Sequence, residues 1–150
     1  MKLGFVTVAV TISLSLMAGV FLSGNQLMRA NAATFSQSGG LLGYGGQIFG
    51  LIDVSTDDHK TKINIVSDFI PPSGKVFEVW MVDGNYRASG YPLSLGEMSA
   101  NGTLRYNENL VYSPTYTDVV VTLEPESDKD PKPNWSQSVA AYRLAPPFGQ

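Results

Sequence analysis

The stretch Lys75–Asp83, KVFEVWMVD, is the most strongly β-forming segment of the chain. β-Branched and aromatic side chains fit a pleated surface. Here they are apolar at nearly every position, which predicts a central strand covered on both faces. Ahead of it, Pro71-Pro72-Ser73-Gly74 is a break, and Lys62-Ile63-Asn64-Ile65 alternates as a half-buried strand does. Residues 47–54 carry Ile48, Phe49, Leu51, Ile52 and Val54 and predict another strand, with the polar residues 55–60 as a hairpin turn. Beyond Lys75–Asp83 comes a turn at Asp83-Gly84-Asn85. Strands over 93–98 and 103–106 then flank Ser99-Ala100-Asn101-Gly102. The Asn-Gly pair there favours the left-handed backbone of a tight hairpin. DVVVTLE (118–124) and SVAAYRL (138–144) complete the set. No helical period follows residue 33 and no internal repeat occurs. The expected fold is all-β: an antiparallel β-sandwich of seven or eight strands, immunoglobulin-like in size and strand count.

The other end of the chain reads differently. Met1-Lys2 precede residues 3–22, which carry no charge, and the next charge is Arg29. A run of about 20 apolar residues is long enough to span a bilayer as one hydrophobic helix. Ala30-Asn31-Ala32-Ala33 has the small-residue spacing of a signal-peptidase site, with cleavage at Ala32 or Ala33. Residues 1–32 are therefore a signal peptide or an uncleaved signal anchor. Length argues for the anchor and the A-x-A site for cleavage, and both readings stay open. Lys2 keeps the N-terminus inside, so either one exports the remainder. The expected location is extracytoplasmic: secreted, or held in the cytoplasmic membrane through residues 3–22 with the β domain outside. No cysteine follows the run, which excludes a lipoprotein anchor. Residues 33–46 are rich in Gly and Ser and read as a flexible tether or an irregular first strand. The domain itself is expected over 47–150.

Without residues 1–32 the chain is the size of one ordinary domain. Lys2 and Arg29 leave with that leader, so eight of the ten basic side chains face all 13 acidic ones, a balance of −5. Such a charge argues against nucleic acid or anionic lipid as a partner. With no cysteine, the domain relies on core packing and has neither a thiolate metal site nor a thiol nucleophile.

Several short motifs together resemble the extracytoplasmic domain of the anti-sigma-K factor family. Val76-Phe77-Glu78-Val79-Trp80-Met81-Val82-Asp83 is similar to that family's YEVWLVD strand. Pro92-Leu93-Ser94-Leu95-Gly96 is similar to its P-x-SLG segment, and Ala100-Asn101-Gly102-Thr103 to its D-G hairpin. Val121-Thr122-Leu123-Glu124-Pro125 is similar to its VTLEP strand end. Pro131 and Pro133 fall where the family has a proline-bearing loop, and residues 139–144 where it has a closing strand. The resemblance covers roughly residues 49–144 and implies a β domain outside the membrane. It departs where Glu126-Ser127-Asp128 replaces the family's Gly-Gly. It departs also at the N-terminus, where only Met1-Lys2 stand in place of a cytoplasmic sigma-binding domain. Direct sigma-factor binding is therefore not expected.

Individual residues add little chemistry. Trp80 reads as a core tryptophan, and Glu78 in the same strand has no partner nameable from sequence. His59, the only histidine, sits in a polar turn with no G-x-S-x-G elbow to supply a nucleophile. One histidine without cysteine cannot fill a transition-metal shell. Asp53, Asp57 and Asp58, and then Glu124, Glu126, Asp128 and Asp130, are acidic clusters without a D-x-D-x-D-G calcium pattern. Trp135, in the proline-stiffened stretch that begins at Pro131, either anchors a partner or folds back on the sheet. Tyr86 and Tyr91 belong to a tyrosine group, with Tyr106, Tyr112 and Tyr116, that can line a binding face. Asn101 and Asn134 head glycosylation sequons. The expectation is a non-enzymatic module without cofactor or metal, which binds an envelope or surface protein or senses an envelope condition. The alternative is a structural surface protein assembling by β-strand addition through Leu41-Leu42-Gly43-Tyr44.

Overall fold

The computed structural model describes residues 35–57, 60–83, 92–109, 116–130 and 132–145. Eight strands follow in order: β1 (Phe35–Gly43), β2 (Ile48–Asp57), β3 (Lys60–Val66), β4 (Lys75–Asp83), β5 (Leu93–Glu97), β6 (Thr103–Glu108), β7 (Tyr116–Pro125) and β8 (Ser138–Arg143). A 3-10 turn, Trp135–Gln137, precedes β8. All eight strands join one sheet in the order β5-β4-β7-β8-β1-β2-β3-β6, and every ladder is antiparallel. β5 and β6 stand at opposite ends of that order, yet only residues 98–102 separate them in the chain. The sheet must therefore curl until its two ends meet, and it is nearly closed. The all-β expectation holds for the described residues, and β4 has the bounds read from sequence. The expected N-terminal helix, with Ala32 and Ala33, lies outside the described residues.

The Gly/Ser-rich stretch is built into the sheet as β1, so over Phe35–Gly43 it is a strand and not a tether. On one side β1 runs along β2 from Phe35↔Thr56 to Leu42↔Ile48, with a bulge between Leu41 and Leu42. On the other it meets β8 only at Leu42↔Ala141 and Gly43↔Ala140. Where the ladder stops, the Gln37 side chain spans the gap. Its Nε2 donates to the Arg143 carbonyl at 3.2 Å, and its Oε1 accepts from the Ala145 N–H at 2.9 Å. Gly39 lies opposite Ile52, and a Cβ there would sit 2.8 Å from the Tyr142 ring. Glycine in this strand thus makes room for an aromatic side chain of β8.

One core fills the curled sheet. Leu41, Ile52, Val54, Ile63 and Ile65 come from β1 to β3, and Val79, Met81, Val119 and Val121 from β4 and β7. β3 alternates strictly between exposed and buried positions, the signature of a strand with one wet face. β4 is covered on both faces, as its sequence predicts. Phe77, Val79 and Met81 enter the core, while Trp80 and Val82 join Val120 in a second cluster on the outer face.

The chain reverses at each strand, so the connections sort to two ends. Phe35, Thr56 and Thr61 lie at one end with Glu108. The turn 44–47, the segment 67–74, the turn 98–102 and residues 126–130 and 132–137 lie at the other.

Candidate functional site

Along the outer face of β1 to β3 the side chains change character. Near Phe35 they are polar: Ser36 and Ser38 on β1, Asp53 on β2, Lys62 and Asn64 on β3. Toward the far end they become apolar and stay exposed: Leu42, Ile48, Leu51 and Val66, joined by Tyr44, Phe69 and Ile70 from the neighbouring connections. Leu51 is 63% and Ile70 81% exposed, among the largest apolar exposures in the fold. A gathered apolar patch of this kind, unlike scattered surface leucines, marks an interaction surface.

Within the patch a shallow groove of about 210 Å³ runs between Ile48, Leu51, Val66 and Phe69. Its walls are held from behind. The Phe69 ring stacks on Phe49 with centroids 5.2 Å apart, and Phe49 meets Phe77 edge-on at 5.0 Å. The Ser67 hydroxyl donates to the Phe49 carbonyl at 2.5 Å and accepts the Phe69 N–H at 3.2 Å. The Ser67 N–H donates to the Gly102 carbonyl at 2.8 Å, tying the groove to the turn between β5 and β6. The surface can bury apolar area, but Asp68 is the one ionisable side chain lining the groove.

The outer face of β4, β7 and β8 forms a second arrangement. Trp80 Nε1 donates to Thr122 Oγ1 at 2.9 Å, both groups fully buried. Glu124, 2% exposed, accepts the Asn134 N–H on Oε1 at 2.8 Å, and its Oε2 has no partner. Among the described residues Glu78 has no basic partner: its Oε1 accepts the Ser94 hydroxyl at 2.5 Å. Burial raises the Glu78 pKa above 4.5, Ser94 opposes the rise, and the nearby carboxylates of Glu124, Glu97 and Asp128 add to it.

The residues singled out from sequence scatter. Trp135 is half-buried and packs on Trp80, Val82 and Val120, so it folds back on the sheet and is no projecting anchor. Tyr86, Tyr91, Tyr112 and His59 lie outside the described residues. Tyr106 and Tyr116 pack against the core, and burial pushes the Tyr106 phenol up, helped by Glu108 and Tyr116. Asn101 and Asn134 are exposed, and each accepts on Oδ1 from the hydroxyl of its own sequon: Thr103 at 2.8 Å and Ser136 at 2.7 Å. Of the acidic clusters, Asp58 lies outside the described residues, as does the Asp57 side chain. Asp53 points outward from β2, Asp128 and Asp130 bond the N–H groups of Asp130 and Lys132, and Glu124 is buried. Among the described residues no group of three His, Cys, Asp or Glu side chains could hold a metal ion.

The apolar patch escapes a reading of single residues. Its signal is the broken alternation of Ile48-Phe49-Gly50-Leu51-Ile52, with apolar residues on both faces, and the unexplained Phe69-Ile70 before two prolines.

Comparison of the chain with protein-family models, with curated proteins and with solved structures finds no match. Among the described residues no helix is long and apolar enough to cross a membrane.

Proposed function

We propose that this is a non-enzymatic extracytoplasmic binding module that takes an apolar segment of another envelope protein in the groove between Ile48, Leu51, Val66 and Phe69. The carrying observation is the gathering of exposed apolar residues at the end of the sheet remote from Phe35. If residues 1–32 are retained as an anchor, the chain joins the sheet at the polar end, and the patch is turned toward a partner. The anti-sigma-K resemblance supports this reading. Its four motifs fall, in order, on β4, on the entry into β5, on the turn between β5 and β6 and on the end of β7. In this proposal the two halves β5-β4-β7-β8 and β1-β2-β3-β6 act as the two sheets of a sandwich.

A photo-crosslinking side chain placed at Ile70 in cells is expected to give protein adducts that one placed at Lys62 does not. The double change Ile48→Asp and Leu51→Asp should remove the Ile70 adducts while shifting stability by no more than about 0.5 kcal/mol per site, the usual range for exposed positions. Equal adducts from both sites, or none from Ile70, would sink the proposal.

One observation favours a second reading, assembly by strand addition. β1 carries Leu41, Leu42 and Gly43 of the segment named for that role, and it is paired at only two positions with β8. Strand addition then means exchange of β1 between copies. The expected result is a dimer that grows with concentration in light scattering, and a monomer at every concentration removes this reading.

A further inference from the structure

We propose that the apolar segment taken by the groove also carries a carboxylate, and that Arg105 and Asn64 receive it. This rests on the groove reading above and adds the chemistry of the partner. The groove does not end at Val66. That residue also lines a second hollow of about 460 Å³, together with Asp53, Asn64, Thr103 and Arg105. The register explains the junction. Leu51, Val66 and Thr103 are Cα partners in one row across β2, β3 and β6, and Asp53, Asn64 and Arg105 form the next row on the same face. Apolar and charged positions thus adjoin within two residues of each strand.

The charge in this second row is unspent. Asp53, Asn64 and Arg105 are all exposed, and among the described residues none of the three has a hydrogen-bonding or ionic partner. Asn64 stands between the two charges, which holds their backbones about 10 Å apart, two strand spacings. A guanidinium offers a planar fork of N–H donors that matches a carboxylate, and the Asn64 amide adds a donor beside it. Asp53, on the other side of Asn64, repels a carboxylate that settles over β2. The surface therefore has a direction, with the apolar anchor over Leu51 and the acid over Arg105.

That direction sets a spacing. Leu51 and Arg105 are separated by two strand spacings across the sheet and two residues along it, about 12 Å in all, which an extended chain covers in about three or four residues. A phosphate or sugar-acid polymer would meet the same guanidinium but leave Leu51, Val66 and Phe69 uncovered. The junction of apolar groove and cationic end favours a polypeptide. The whole chain carries 13 acidic against 10 basic residues, so attraction of a carboxylate is local to this site and opposes the general field.

Photo-crosslinking from Ile70 in cells, with the captured segment identified by mass spectrometry, tests the proposal. Arg105→Glu is expected to lower adduct yield about fivefold or more, and Arg105→Lys to lower it less. Asp53→Asn should not lower it. Lys62→Glu makes the same change of charge one row further from the groove and should alter the yield less than about twofold. The captured segment should hold Asp or Glu about three or four residues from its crosslinked residue. These positions are exposed, so each variant should keep the fold. A yield unchanged by Arg105→Glu, equal losses from Arg105→Glu and Lys62→Glu, a loss from Asp53→Asn, or a captured segment without that acid would overturn the proposal and leave the groove reading standing. Adducts from a crosslinker at Thr103 that survive exhaustive proteolysis would overturn it in favour of a polyanion. No adduct from Ile70 in the otherwise unaltered chain would remove the groove reading and this inference with it.

Discussion

Gly102→Ala is expected to destabilise the domain by about 3 kcal/mol or more, from two separable causes. The first is conformational: Gly102 has φ +76°, a backbone region that L side chains rarely adopt. The second is steric, since a Cβ at this position collides with the Ser67 carbonyl oxygen and lies 3.0 Å from its carbon. That obstacle is backbone at the end of β3, and it cannot rotate aside. The position is also a junction. The Gly102 carbonyl accepts the Ser67 N–H at 2.8 Å, and its own N–H donates to the Ser99 carbonyl at 2.8 Å. A displaced Gly102 therefore disturbs the turn that brings the two ends of the sheet together, and Ser67 behind the groove. Gly74 is the control. It has φ +75°, but nothing lies within 4 Å of the point a Cβ would occupy, so Gly74→Ala should lose about 1 kcal/mol from conformation alone. Urea midpoints of the two variants measure the difference, with m unchanged if the unfolded state is unaffected. Equal losses would show that the contact with Ser67 contributes nothing.

Much of this fold is legible in local sequence, for reasons visible at particular residues. β4 has its expected bounds because its apolar run is dense and is ended by Gly74 on one side and by the turn signal at Asp83-Gly84 on the other. The turn before β6 is readable because Gly102 takes the left-handed backbone that the Asn-Gly pair favours, although β5 and β6 form no ladder with each other. β1 is ambiguous. Its glycines weaken strand propensity, and the reason for Gly39 lies in Tyr142, more than a hundred residues away. Likewise, nothing local reveals that Gln37 bridges to Arg143 and Ala145. The functional surface is least legible. Leu42, Leu51, Val66 and Ile70 are ordinary apolar residues in a chain full of them. Only the register of β1, β2 and β3 puts Leu42, Leu51 and Val66 on one wet face, and Ile70 follows in the connection after β3. Glu78 is conspicuous in an apolar strand, but its neighbours Glu97, Glu124 and Asp128 are brought to it by strand pairing and by the turn after β7, not by spacing.

Trp80→Ala should be the most damaging single truncation on the outer face, destabilising by about 3–5 kcal/mol, the range for buried aromatic-to-alanine changes. Against a typical domain stability of about 5–15 kcal/mol, that approaches unfolding. Trp80 is 1% exposed, although it faces away from the main core. Its burial comes from Val82, Val120 and the returning Trp135. Removing the indole leaves a cavity beneath Trp135, which loses part of the apolar surface it packs on. Trp80→Phe separates packing from hydrogen bonding. It keeps most of the ring but withdraws the N–H from Thr122 Oγ1, a fully buried hydroxyl. Leaving that group without its donor should lose about 1–3 kcal/mol. Thr122→Val on the Trp80→Phe background removes the stranded hydroxyl at nearly constant shape, and it should recover part of the loss. Urea unfolding followed by far-UV circular dichroism reads all three variants without relying on tryptophan emission. If Trp80→Phe loses nothing, the 2.9 Å bond to Thr122 contributes nothing to stability. The outer cluster is then held by apolar contact alone, and Trp80→Ala should still fall in the range for lost packing.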